Sequence, residues 1–172
     1  IIIYLMKIKY CKISLFNSEI PGINFDADGV SNFAKNILWR LKNETFNNED
    51  LLKKKIERIK FFGKKKKYDC VIGISGGVDS SYVAYLIKRF KLRALAVHLD
   101  NGWNSNLATQ NIYRLIKKLD IDLITRVVEW DEFKDLQIAY LKSSVMDLEN
   151  VTDQAIDALL YQTAYKWDIK YV

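Results

Sequence analysis

Tyr68-Asp69-Cys70-Val71-Ile72-Gly73-Ile74, followed at once by Ser75-Gly76-Gly77-Val78-Asp79-Ser80-Ser81, decides the fold. An apolar run of strand length breaks at two adjacent glycines. It then enters a stretch, Ser80 to Phe90, in which Val83, Leu86, Ile87 and Phe90 recur at helical spacing. The glycines let the backbone turn sharply and approach a ligand where a Cβ would collide. Amide groups of the loop and of the helix's first turn lack partners within the helix and point toward the crevice beyond the strand. The hydroxyls of Ser75, Ser80 and Ser81 add donors, so Ser75 to Ser80 reads as a cradle for nucleotide phosphates. Asp79 is the informative residue, because a carboxylate beside phosphates repels them unless a divalent cation lies between. Mg2+ beside the nucleotide phosphates is therefore expected, with Asp79 as its ligand. The alternative is an ordinary strand–turn–helix junction in which the glycines bend the chain and Ser80 caps.

Downstream, strand and helix alternate. Leu92 to Leu99 reads as a second strand, and Ala108, Ile112, Leu115, Ile116 and Leu119 as the face of a helix capped by Asn106. Ile121 to Val128 reads as a third strand, interrupted by Asp122 and Arg126. Phe133, Leu136 and Tyr140 mark another helix, and Thr152 caps one carrying Ile156, Leu159, Leu160 and Thr163. Ile169 to Val172 turns extended, as a fourth strand would. Such alternation specifies an α/β fold, a parallel sheet with helices on both faces, here expected to be truncated at its C-terminus.

Upstream the pattern differs. Residues 1–30 form an irregular arm with turn signals at Pro21-Gly22 and Asp28-Gly29. Residues 31–67 are expected to hold two accessory helices and a lysine-rich linker, and residues 68–172 to form the nucleotide-binding α/β domain, expected to be incomplete. The first helix runs from Ser31 to about Lys42 with a Phe33, Ile37, Leu38 and Leu41 stripe. The second is capped by Asn47 or Asn48 and carries Leu51, Leu52, Ile56 and Ile59. Met6 looks like a natural start, with Ile1 to Leu5 as an upstream extension.

Composition narrows the class. The 172 residues are 49% hydrophobic and 28% charged, with seven glycines and one proline, enough for one buried core and too apolar for disorder. Cys11 and Cys70 make no disulfide framework. No stretch approaches the roughly eighteen apolar residues of a membrane helix, and the opening lacks the features of a signal peptide. A reducing, cytoplasmic setting without membrane insertion is expected. The net charge of +6 is concentrated in Lys53 to Lys67, where nine positive residues face one acid, Glu57. This reads as a solvated helix face and linker rather than a nucleic-acid surface.

Ser75-Gly76-Gly77-Val78-Asp79-Ser80 matches neither G-x-x-x-x-G-K-[ST] nor G-x-G-x-x-G. It resembles the PP-loop of the N-type ATP pyrophosphatases, the Rossmann-like, adenine nucleotide alpha hydrolase-like superfamily, whose SGG-x-DS holds the pyrophosphate end of ATP. The resemblance implies adenylation of a carbonyl or carboxylate oxygen, then displacement of AMP by a nitrogen or sulfur nucleophile. It places adenine near the end of the second strand, at Val97 to Trp103. There His98, the only histidine, reads as packed beside the nucleotide rather than as a base. Asp100 is a candidate catalytic acid, and Trp103 either stacks on a ring or covers the sheet's end.

Three further segments resemble the N-acetyl sugar amidotransferases of bacterial surface-polysaccharide (LPS, O-antigen) synthesis. They are Leu99-Asp100-Asn101-Gly102-Trp103-Asn104-Ser105; Pro21-Gly22-Ile23 with Phe25 to Val30; and Tyr140 to Asp147 continuing through Thr152-Asp153-Gln154-Ala155-Ile156. That resemblance implies a UDP-linked acetamido sugar as substrate, with Trp103 and Asn104 at the substrate. It implies ammonia from a glutaminase-type subunit with a cyclase-like partner, and an acetamidino product. A homo-oligomer is also expected. Asp153 is a second candidate for the catalytic metal site, or simply a favourable first-turn charge.

Departures from the family matter too. Its two C-x-x-C pairs are represented here by Cys11/Ser14 and Ser31/Ala34, so no zinc is expected. Gln154 stands where the family has histidine, which removes proton transfer there. Two rival readings stay open: a tRNA-modifying PP-loop enzyme, which would give the lysine segment a role, and an inactive nucleotide-binding or scaffold remnant.

Overall fold

The computed structural model describes residues 7–44 and 48–172. The expected start at Met6 with its upstream extension, and the alternative cap Asn47, lie outside them. Two compact units divide at Leu52/Lys53.

In the first unit the arm is irregular, held by isolated bridges Tyr10–Asn17 and Phe25–Ser31. Helix α1 spans Asn32–Asn43, with Ser31 as its N-cap accepting from the Ala34 amide. Its expected apolar stripe is not a buried face. Ala34 is the buried residue, while Phe33, Ile37, Leu38 and Leu41 are exposed within this unit's helix. Helix α2 spans Glu49–Gly63 and crosses the unit boundary. Asn48 caps it, its side-chain oxygen 3.0 Å from the Leu51 amide.

The second unit carries β1 (Cys70–Gly73), α3 (Val78–Arg89), β2 (Ala94–Asp100), α4 (Asn106–Leu119), β3 (Asp122–Val127), α5 (Trp130–Lys142) and α6 (Asn150–Lys166). The strands form one parallel sheet in the order β1-β2-β3. Alternating side chains feed two cores. Cys70, Ile72, Ala94 and Ala96 pack with Ile56 of α2, Ala84 and Ile87 of α3 and Ile112 of α4. Val71, Leu95 and Val97 pack on the other face with Leu159, Leu160 and Ala164 of α6. Helices thus cover both faces, as the alternation requires.

Several local expectations shift. Helix α3 begins at Val78, capped by Gly77 rather than Ser80. It turns Ala84 and Ile87 inward and leaves Val83 exposed, because only alanine lets the helix lie close to the sheet. Ser105, not Asn106, caps α4. Helix α6 starts at Asn150, so Thr152 lies inside its first turn and does not cap it. Of the residues that mark α5, Phe133 is buried and Leu136 exposed. Residues 169–172 are not assigned as a strand, although the Val71 amide donates to the Tyr171 carbonyl at 2.9 Å and Ile169 is buried.

One polar assembly fixes where β1 and β2 begin. Asp69, nearly buried, takes the Arg93 guanidinium at 2.6 and 3.1 Å and the Arg93 amide at 2.7 Å. The same guanidinium donates to the carbonyls of Lys66 and Gly63. Gly63 must be glycine, since a Cβ there would lie 2.0 Å from the Asp69 carboxylate.

Candidate functional site

The carboxyl ends of β1 and β2 open on a cleft of about 400 Å³. Strand β1 ends at Gly73, and the chain runs through Ile74 into Ser75-Gly76-Gly77 before α3 begins. Gly76 takes φ +79°, and a Cβ on it would sit 2.3 Å from the Ala108 carbonyl in the first turn of α4. Asn111 of α4 donates to the Gly76 carbonyl at 3.3 Å. Both the turn and the close approach therefore demand glycine here. Gly77 caps α3 without any side-chain hydrogen bond, so no side-chain acceptor stands over the helix's first amides. That leaves the N-terminal dipole of α3 and its amides for an anion.

The hydroxyls are partly committed. Ser80 Oγ accepts from the Ser75 amide at 3.2 Å, lies 3.2 Å from Ser75 Oγ and donates to the Gly77 carbonyl at 3.3 Å. Ser75 Oγ also accepts from the Gly77 amide at 3.4 Å. These contacts lie at or beyond the long end of ordinary hydrogen bonds. Ser81 is different: its hydroxyl donates to the Gly77 carbonyl at 2.7 Å and braces the helix start.

Of the residues singled out in the sequence, Ser75, Ser80, His98, Asn104 and Asp153 line this one cleft. Asp79 is exposed on the first turn of α3, and neither it nor Val78 is among the lining residues. Asp100 reaches the cleft indirectly, through its bond with Asn104. Trp103 stands apart. Its indole nitrogen donates to Gln137 at 3.1 Å and its ring meets Trp130 edge-on, beside a second cleft of about 300 Å³ that it shares with Leu141, Leu148 and Glu149. Glu149 also lines the first cleft. Asn101, within the stretch expected near adenine, donates its side chain to Thr152 at 3.4 Å and joins the β2 exit to α6, whereas Glu149 is a lining residue that the sequence does not single out. Glu149 carries no local pattern; its signal is only spatial.

The donor set fits phosphates with a hard cation better than it fits zinc. The lining holds the hydroxyls of Ser75, Ser80 and Thr152 and the carboxylates of Glu149 and Asp153, with no thiol. Among the described residues no group of three or more His, Cys, Asp or Glu is placed to hold a metal. In the arm, Cys11, Ser31 and Ala34 are joined by hydrogen bonds. Cys11 Sγ accepts from the Ser31 amide at 3.3 Å, and Ser31 Oγ accepts from Ala34. Burial pushes the Cys11 thiol up, but bonds from Ser14, Ser31 and the backbone outweigh it and bring it down to about 6. Burial, with Asp69 nearby, pushes Cys70 up to about 12.

The basic segment behaves differently from a nucleic-acid face at its C-terminal end. Lys66 pairs with Asp168 at 2.8 Å and Lys67 with Asp122 at 3.1 Å. Lys64 and Lys65 are exposed. The run precedes β1 and so lies at the opposite end of that strand from Ser75. No helix among the described residues is long and apolar enough to cross a membrane.

A family model described as NAD synthase matches residues 45–169. The glutamine-hydrolyzing GMP synthase of Thermosipho africanus is 30% identical over 111 residues, which are 63% of this chain and 21% of that protein. The tRNA(Ile)-lysidine synthase of Chlamydia pneumoniae is 28% identical over 106 residues, 60% of this chain and 30% of that protein. Among solved structures, the NMN synthetase of Francisella tularensis superposes with a TM-score of 0.54 at 20% identity, covering 74% of this chain and 54% of that one. The chain thus spans less than a third of these two curated relatives and about half of the solved protein. The likeness to the solved protein is one of fold, the Rossmann-like PP-loop architecture.

Proposed function

The chain belongs to the NAD synthase family, within the PP-loop ATP pyrophosphatases, and on that premise we propose that it adenylates an acceptor with ATP and joins a nitrogen to the activated carbon. An acceptor oxygen attacks the α-phosphorus, the bond to the β-phosphate breaks, and pyrophosphate leaves. Nitrogen then attacks the acceptor carbon and AMP departs with the oxygen. An amide or carboxylate carbon is a poor electrophile, and adenylation turns its oxygen into a phosphate leaving group.

The observation that carries this reading is the cradle at Gly76. Its backbone is pinned between Asn111 and the Ala108 carbonyl, beside the α3 N-terminus that Gly77 leaves without a side-chain cap. Ser75 and Ser80 would hold the pyrophosphate end, and Asp153 and Glu149 in the cleft, with Asp79 on the first turn of α3, are acids able to hold a cation near it. Mg2+ would neutralise the phosphates and the departing pyrophosphate. A closed cleft would keep water from the adenylate.

Two acceptor classes follow, and the comparisons favour the first. The similarity to a tRNA(Ile)-lysidine synthase covers the larger part of this chain and supports a tRNA acceptor, with Lys64, Lys65 and the α2 lysines as phosphate contacts. A UDP-linked acetamido sugar rests on the Leu99 to Ser105, Phe25 to Val30 and Thr152 to Ile156 segments, with Trp103 nearby. That reading includes ammonia from a glutaminase-type partner. Incubating the chain with ATP, Mg2+ and ammonium, and adding either tRNA or a panel of UDP-acetamido sugars, separates the two. AMP release that depends on one acceptor and not on the other assigns the class.

A further inference from the structure

The two loops that bound the phosphate cleft are joined by one side chain. His98 is nearly buried, with Nδ1 2.9 Å from the Ile74 carbonyl and Nε2 3.3 Å from the Asn104 side-chain nitrogen. A backbone carbonyl only accepts, so the proton of the neutral ring sits on Nδ1 and the Nε2 lone pair faces Asn104. The second hydrogen of the same Asn104 nitrogen goes to Asp100 Oδ1 at 3.0 Å, which also takes the Gly102 amide at 3.0 Å. The amide cannot be turned over. Its oxygen would then face the Asp100 carboxylate and the Nε2 lone pair together. One proton arrangement therefore satisfies the whole series.

We propose that Asn104 is a positioning residue: by fixing the ring of His98 it holds the Ile74 carbonyl, and with it the entry of the chain into the phosphate loop. The geometry explains why a side chain is needed there. The Ile74 amide still pairs with the Val97 carbonyl at 2.9 Å, but strand β1 has ended, and the Ile74 carbonyl is taken by His98. Ser75, the next residue, is the first of the cradle. Asn104 itself precedes Ser105, the cap of α4, whose first turn packs on Gly76. The loop is thus held from both sides by the segment that leaves β2, and the Asn104 nitrogen is spent on this task rather than on substrate.

This inference rests on the cleft taking ATP, and its test separates the two claims. His98 is the only histidine, so long-range 1H–15N spectra of the labelled 172-residue chain report its tautomer without ambiguity. The expected result is a protonated Nδ1 and an unprotonated Nε2 at neutral pH. In Asn104→Leu the Nε2 partner is lost, and in Asn104→Ala the partner and the bulk of the side chain are lost together. Both variants should bind ATP–Mg2+ about tenfold more weakly by calorimetry. An Nε2-protonated ring in the unaltered chain overturns the proposal without any variant needing to fold. So does affinity within twofold of the unaltered chain in either variant. If the unaltered chain binds no ATP while its tautomer is as expected, the nucleotide reading fails rather than the network.

Discussion

Gly76 faces the carbonyl of Ala108 so closely that a methyl group has no place between them: an added Cβ would lie 2.3 Å from that oxygen. Its φ of +79° adds a second objection, since an L-residue in left-handed backbone costs about 1–2 kcal/mol. Gly76→Ala should lower stability by about 2 kcal/mol or more and displace the first turn of α4 from the loop. Thermal melts with ATP calorimetry check this, and a variant with normal melting and normal binding would show that the loop is not held as described.

Asp79 lies on the first turn of α3 with its carboxylate exposed. Asp79→Asn keeps the shape and removes the charge. Binding of ATP with Mg2+ should weaken by about tenfold, the size expected for one lost metal ligand (~1.4 kcal/mol), while binding without Mg2+ should hold or improve. Equal affinity with Mg2+ in both proteins would remove Asp79 from the metal site.

The Asp69–Arg93 assembly should matter for folding and not for the cleft. Arg93→Ala removes the two guanidinium donors of a nearly buried carboxylate and leaves it the backbone amide of residue 93. The guanidinium is half exposed, so the loss should be about 2 kcal/mol, less than for a fully buried pair. Urea unfolding measures it; ATP affinity should stay within twofold in the folded variant.

The two thiols should separate in pH. Cys11 falls from an ordinary 9.0 to about 6 in the folded arm. A group whose folded value is depressed adds stability that is full above about pH 9, declines between 9 and 6, and is gone below 6. Stability of the chain should therefore rise with pH across that window, and Cys11→Ser should flatten the rise. Cys70, pushed up to about 12 by burial, should resist alkylation at pH 8 until the protein unfolds. A slope of opposite sign would mean that the Ser14 and Ser31 bonds do not stabilise the thiolate.

Elemental analysis of protein purified without a histidine tag should find no stoichiometric zinc. Of the four positions that carry thiols in the resembling family, this chain keeps a thiol only at Cys11. One zinc per chain would show that other residues replace the lost ligands.

The parts of the fold legible in the sequence are those with a strong local cause. The double glycine after an apolar strand announces the phosphate turn, and the alternation after Tyr68 announces a covered parallel sheet. Caps proved less legible. Ser105 and Asn106 are both good N-cap residues, and only the backbone tells which one stands outside the helix. The inward face of α3 is legible at Ile87 and Phe90, which meet the core, but not at Val83, whose place is taken by the smaller and completely buried Ala84. The Phe33 to Leu41 stripe of α1 has helical spacing but no burial in its own unit. Least legible was the link of His98 to Ile74 and Asn104, because it joins residues 24 and 6 positions apart in sequence and depends on which ring nitrogen holds the proton.

Cleavage of ATP between the α- and β-phosphates is the centre of the account, and 31P NMR reads it directly. The chain would be incubated with ATP, Mg2+ and ammonium in the presence of tRNA and of UDP-acetamido sugars in turn. The account predicts AMP and pyrophosphate appearing together in equal amounts with one acceptor, and their loss in Gly76→Ala. ADP with orthophosphate would contradict it, because the cradle would then be directing attack at the γ-phosphate.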